Sequence, residues 1–167
     1  AFYNVADVTM GVSDAEGFGL STFESLACGT PIIVTMTGGL QEQVQKDFDV
    51  SHENMLKRNR EGKGVKLYDN GIGIEPASKA IIGSQQVPYI YEDRISGDDV
   101  VEALMKMYEL GKDGREKLGQ NAMEHVSENY SFENFAKSWD EFITEVHEKH
   151  GSWENRKNYK SWEMIKV

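Results

Sequence analysis

Ser13-Asp14-Ala15-Glu16-Gly17-Phe18-Gly19-Leu20-Ser21-Thr22-Phe23-Glu24-Ser25-Leu26-Ala27-Cys28-Gly29-Thr30-Pro31 places two carboxylates, Glu16 and Glu24, around a glycine-rich turn. Gly17 and Gly19 permit that turn because glycine takes positive φ without a side-chain clash. From Ser21 to Cys28 the pattern reads as a helix, with Leu20, Phe23, Leu26 and Ala27 spaced by three and four along one apolar stripe. Gly29 ends it and Thr30-Pro31 keeps it ended. Upstream, Asp7-Val8-Thr9-Met10-Gly11-Val12-Ser13 is expected to be a short strand. Downstream, Pro31-Ile32-Ile33-Val34-Thr35 is apolar through its centre and so expected to be covered on both faces, as strands of parallel sheets are. Gly38-Gly39 then turns the chain into a helix from Leu40 to Lys46. Strand, glycine turn, helix, repeated, is the alternation that builds an α/β fold on an open parallel sheet flanked by helices.

Beyond Asp47 the pattern weakens as far as Ser96. This stretch, 47–95, reads as an insertion with short strands near Val65-Lys66-Leu67-Tyr68 and Val87-Pro88-Tyr89-Ile90-Tyr91, either an ordered insert or a functional lid. Three helices follow. Ser96 caps the first, whose Val100, Val101, Leu104, Met105 and Tyr108 make an apolar face up to Gly111. Asp113 opens the second, which runs to about Asn129. Ser131 caps the third, in which Phe132, Phe135, Ala136, Trp139, Phe142, Ile143 and Val146 repeat at helical spacing and are expected to be core. Residues 1–149 form one α/β domain on this reading. Residues 150–167 are a polar tail whose Trp153, Tyr159 and Trp162 dock on something outside the chain.

The 167 residues suffice for one domain with a real core. Lysine and arginine number 18 against 28 aspartates and glutamates, a net charge of −10, which disfavours a nonspecific nucleic-acid surface. The single cysteine, Cys28, fits a reducing compartment and is read as a small core residue. With no run of about 18 apolar residues and no signal pattern at the N-terminus, the expected location is cytoplasmic. The opening Ala1-Phe2-Tyr3 has no initiator methionine and reads as part of a longer protein.

Two glutamates eight positions apart occur four times in the chain, so the spacing alone is uninformative. Only Glu16 and Glu24 bracket a glycine turn between a strand and a helix. The first amides of a helix are unpaired and carry partial positive charge, so a phosphate can sit against Gly19, Leu20 and Ser21 without a basic side chain. Ligands of open α/β sheets gather beyond the carboxyl ends of the strands, where this loop falls. An ionised carboxylate can accept both hydroxyls of a vicinal diol. Glu16 and Glu24 would thus flank a phosphate with diol-gripping groups, the layout of a nucleotide sugar.

These residues, with Thr37-Gly38-Gly39-Leu40-Gln41-Glu42, resemble the Rossmann-like, C-terminal donor-binding lobe of GT-B glycosyltransferases, in particular the retaining family with the E-x7-E signature, family 4. The resemblance covers Asp7 to about Val44 and, less closely, Ser96 to Ile143. It implies that Glu16 holds donor-sugar hydroxyls and is the catalytic glutamate, and that Glu24 holds the ribose diol. It further implies that the backbone of Phe18, Gly19 and Leu20 meets the diphosphate, with Gly17, Ser21, Gly38 and Gly39 also among the donor-binding residues. The implied activity is transfer of a hexose from a UDP- or GDP-sugar to an unknown acceptor with retention of configuration. No metal and no other cofactor is implied. The first half of the donor lobe and the acceptor-binding N-terminal lobe are missing from the pattern, so this stretch alone is expected to be inactive.

Other readings stay open. Glu16 could be a solvated loop carboxylate, Glu24 a helix-surface charge, and Ser21 and Thr22 simple capping residues. His147 and His150 stand three apart without a third metal ligand nearby, His52 and His125 offer nothing specific, and Lys57, Arg58, Arg60 and Lys63 read as a solvated loop. At the level of function the alternatives are a non-catalytic α/β nucleotide-binding or interaction module and a GT-B nucleotide-sugar epimerase.

Overall fold

The apolar run after Pro31 forms the strand on which the sheet is built. In a computed structural model of the chain, which describes residues 2–46, 48, 64–152, 154–155 and 157, a 3-10 turn at Tyr3–Val5 precedes β1 (Thr9–Gly11), α1 (Leu20–Ala27), β2 (Ile32–Thr35) and α2 (Leu40–Val44). Then come β3 (Gly64–Leu67), β4 (Gly71–Glu75), β5 (Ser78–Ile82), β6 (Ile90–Arg94) and the helices α3 (Gly97–Glu109), α4 (Gly111–Asn129) and α5 (Phe132–His150). The chain divides into two compact units, Ala1–Ser127 and Glu128–Val167. The sequence reading sets its boundary later, at 149.

In the first unit, the sheet runs in the order β1-β2-β4-β3. β1 and β4 flank β2, both parallel to it, and β3 lies antiparallel on the far side of β4. All four β2 residues are buried, so both of its faces are covered. Ile32 and Val34 pack with Leu26 of α1, Leu40 and Val44 of α2 and Ala122 of α4. On the other face, Ile33 joins Ile72 and Ile74 of β4, Ala103 and Met107 of α3 and Leu118 of α4. Each such aliphatic side chain contributes roughly 1.5–3 kcal/mol on full burial. The α/β class and the helix-flanked parallel sheet are therefore as expected.

Several details differ from the sequence reading. β4 lies inside the stretch read as an insertion, yet it is a fully buried strand of the main sheet. Its alternating Gly71-Ile72-Gly73-Ile74 hides the apolar run that marks a buried strand. The glycines are needed for closeness: a β-carbon on Gly71 would stand 2.0 Å from the Ile32 carbonyl oxygen, and one on Gly73 would stand 2.4 Å from Met36 Sδ. The strand expected at 87–91 begins instead at Ile90 and pairs with β5 in an antiparallel hairpin.

The buried faces of two helices differ as well. α3 buries Ala103 and Met107, whereas Val101, Leu104, Met105 and Tyr108 are exposed. The buried row advances by four residues from 103 to 107, and those four apolar residues lie on the opposite arc. In α1 the buried residues are Thr22, Ser25 and Leu26, while Leu20 is exposed. Cys28, at the C-terminal cap of α1, is exposed rather than core.

The second unit contains α5, capped as expected by Ser131, whose Oγ accepts from the Asn134 amide at 3.2 Å. No α5 residue is buried. Phe132, Phe135, Trp139, Phe142, Ile143 and Val146 are all exposed, which corrects the expectation that they form core. Three ring contacts link the aromatic side chains along the helix, among them Phe135–Trp139 at 6.2 Å between centroids. Trp153, Tyr159, Trp162, His52 and the basic residues Lys57, Arg58, Arg60 and Lys63 lie outside the described residues.

Candidate functional site

The turn between β1 and α1 is held from below by one neutral amide. Gln43 of α2 is completely buried. Its Nε2 donates to the carbonyl oxygens of Phe18 (2.5 Å) and Gly19 (3.1 Å). Its Oε1 accepts from Thr22 Oγ1 at 2.7 Å, and that hydroxyl also lies 2.8 Å from the Gly19 oxygen. Asn70 Nδ2 donates to the Gln43 carbonyl at 2.9 Å, tying α2 to the start of β4.

This arrangement fixes where the amides point. The described peptide bonds include no cis bond, and in a trans peptide the C=O and N–H are antiparallel. Turning the Phe18 and Gly19 carbonyls in toward Gln43 therefore turns the Gly19 and Leu20 N–H groups out. Gly19 has φ +86° and no side chain caps the helix there. The first intrahelical partner is Phe23, whose amide donates to the Gly19 oxygen at 3.0 Å. Outward amides at the N-terminus of an eight-residue helix are suited to an anion.

A second glycine turn presses against the same loop. The Gly39 amide donates to the Gly17 carbonyl at 2.9 Å. At Gly38, where φ is +48°, a β-carbon would fall 1.6 Å from the Glu16 carbonyl oxygen. Glu16, Gly17, Phe18, Gly38 and Gly39 are thus brought together in space. The Glu16 side chain folds back so that Oε1 accepts from the Gly17 amide at 3.0 Å. Phe18 leans on Phe23, with ring centroids 5.3 Å apart. Leu20 and Ser21 are exposed.

Glu24, one turn into α1, is exposed. Tyr3 donates its hydroxyl to Glu24 Oε2 at 3.0 Å. That hydrogen bond, followed by desolvation and then the negative charge of Glu24, raises the Tyr3 pKa above its ordinary value. Tyr3 is seated by its own carbonyl, which accepts from Thr30 Oγ1 at 2.7 Å.

Sequence reasoning missed Gln43, Tyr3 and Asn70. For Gln43 a signal existed: it lies three positions after Leu40 on the buried row of α2, and a polar residue on an apolar row calls for hydrogen-bond partners. His125 is nearly buried, with Nε2 3.1 Å from the Glu42 carbonyl oxygen, a structural tie between α4 and α2. Among the described residues no group of three His, Cys, Asp or Glu side chains could hold a metal ion. A groove of about 450 Å3 lies elsewhere, beside α3, lined in part by Leu104, Met105 and Tyr108. Its charged residues, Arg115 and Asp7, already pair with each other at 3.1 Å, so the glycine loop is the better candidate.

Residues 1–56 match the family described as Glycosyl transferases group 1. All the candidate residues from Glu16 to Gly39 fall inside this stretch. A D-inositol 3-phosphate glycosyltransferase of Acidothermus cellulolyticus is 31% identical over 109 residues, 64% of this chain and 22% of that protein. A GDP-mannose-dependent alpha-(1-6)-phosphatidylinositol dimannoside mannosyltransferase of Mycobacterium tuberculosis is 43% identical over 49 residues, 29% of this chain and 13% of that protein. The chain thus spans about a fifth or less of the length of these relatives.

Among solved structures, sucrose-phosphate synthase from Thermosynechococcus elongatus superposes with a TM-score of 0.56 at 20% identity, over 88% of this chain and 27% of that one. Anabaena Alr3699/HepE in complex with UDP gives a TM-score of 0.56 at 13% identity, over 86% and 29%. At these identities the likeness is one of fold. The chain therefore has a Rossmann-like α/β fold, with a parallel sheet flanked by helices, that matches solved GT-B structures. No described helix is long and apolar enough to cross a membrane.

Proposed function

We propose that this chain is the donor-binding portion of a retaining glycosyltransferase that moves a hexose from a UDP- or GDP-sugar to an acceptor held by another part of a longer polypeptide. The observation that carries this is the inward turn of the Phe18 and Gly19 carbonyls onto Gln43, which leaves the Gly19 and Leu20 amides facing away from it, in a segment that matches the group 1 family. A diphosphate at the start of α1 gains stabilisation from those N–H groups as charge builds on the leaving group, by about 0.3–2 kcal/mol from the helix end alone. Glu16 orients the sugar through its hydroxyls and Glu24 takes the ribose diol, with the backbone of Gly17 and Ser21 and the Gly38-Gly39 turn completing the cradle. No residue in this set calls for a metal.

On this reading residues 1–149 are the nucleotide-sugar domain and 150–167 a tail that packs on the acceptor-binding lobe, and the protein works in the cytoplasm. Calorimetric titration of the full-length protein tests the assignment. Glu16→Ala should weaken binding of a nucleotide sugar more than of the free nucleotide, and Glu24→Ala should weaken both. Negligible effects of both substitutions would overturn it. A thermal-shift screen of UDP-, GDP- and ADP-sugars identifies the base and sugar, because a ligand that prefers the native state raises the apparent stability.

A further inference from the structure

We propose that the β5–β6 hairpin is a brace for the loop that carries Glu16, and that Arg94 is a positioning residue acting through Asp14. The hairpin is inserted between the core strand β4 and α3, yet its last two residues turn back to the loop after β1. The Asp93 amide donates to the Asp14 carbonyl at 2.7 Å. Arg94 Nη1 donates to Asp14 Oδ2 at 3.1 Å, while its Nη2 contacts Glu92 Oε2 at 2.9 Å, so the guanidinium spans strand and loop. The hairpin end is itself fixed: the Ala77 amide donates to the Arg94 carbonyl at 2.7 Å, and Lys79 Nζ lies 3.0 Å from the mostly buried carboxylate of Asp93.

Glu16 therefore stands between two fastenings. Asp14, two residues before it, is held by the hairpin, and Gly17, the residue after it, is held by the Gly39 amide. A backbone secured on both sides limits how far the Glu16 carboxylate can wander, which matters for orienting a bound group and much less for holding a phosphate seated on α1. This inference rests on the reading of Glu16 as the sugar-orienting residue. Its consequence is a split: loosening the brace should affect recognition of the sugar and spare recognition of the nucleotide.

Arg94→Ala, Asp14→Ala and the double variant of the full-length protein test it, by amide hydrogen exchange and by titration with UDP-glucose, GDP-mannose, UDP and GDP. Both ion-pair partners are half-exposed, so either single variant should speed exchange at Ala15 to Phe18 by about two- to fivefold, and the double variant no further. The sugar nucleotide that binds the parent should lose affinity by a similar factor, and the free nucleotide should not. Unchanged exchange in that loop, equal weakening of sugar nucleotide and free nucleotide, or fully additive effects would overturn the brace. If none of the four ligands binds the parent protein, the donor-binding reading fails, and the exchange measurement alone decides whether the hairpin steadies the loop.

Discussion

Gln43 and Gly19 depend on each other. With a β-carbon, residue 19 would meet Leu40 Cδ2 at 2.5 Å and Thr22 Oγ1 at 2.8 Å, in addition to the strain of φ +86°. Gly19→Ala should therefore destabilise the protein by at least about 1–2 kcal/mol, read as a lower urea midpoint. Gln43→Leu keeps the volume but removes the donor to the Phe18 carbonyl, one of three donors to the Gly19 carbonyl and the acceptor of the buried Thr22 hydroxyl, and should lower stability by about 1–3 kcal/mol in the same assay. Tyr3 gives a pH-dependent prediction. Its pKa is raised by the bond to Glu24, so the protonated phenol is the form the fold favours. The contribution of that bond is fully present below the ordinary tyrosine pKa and is lost as pH rises through the higher folded value. Ultraviolet titration of the parent against Tyr3→Phe should show one late-titrating tyrosine, and Glu24→Gln should move it earlier. An unmoved titration would mean that the bond does not form in solution.

At the scale of elements, what the sequence disclosed depended on which force shaped each segment. β2 was legible because burial on both faces writes itself as an unbroken apolar run. β4 was not, because its two glycines serve close backbone approach and carry no hydrophobic signal. The caps Ser96 and Ser131 were legible because a hydroxyl accepting from a helix amide is a local arrangement. Ser131→Ala should cost α5 about 1 kcal/mol, measurable as loss of helicity on heating. The α5 stripe shows the opposite case: periodicity reveals an apolar row and says nothing about what covers it. Since Trp139 is half exposed, Trp139→Gln should change the stability of this chain by no more than about 0.5 kcal/mol. Leu26→Ala in the core should cost about 2–5 kcal/mol. The candidate loop could be located from its glycines, whereas its fastenings could not be assigned to it: Gln43 signals a need for partners without naming them, and Arg94 reaches the loop from a distant part of the chain.

For the molecule as a whole, the net charge of −10 sets the approach of an anionic ligand. Raising ionic strength from about 10 to 150 mM shortens the screening length from about 30 to 8 Å, so association of a nucleotide diphosphate with this chain should quicken. Stopped-flow mixing measures this, and a slower rate would reveal a local cationic field that outweighs the total. The loop such a ligand meets is anchored by a carboxamide, a group that neither gains nor loses a proton across the working range of an enzyme. Acid or alkali thus has no handle on that anchor. Any pH profile found for donor capture would have to originate in the ligand's own phosphates or in ionisable side chains, and not in the Gln43 anchor.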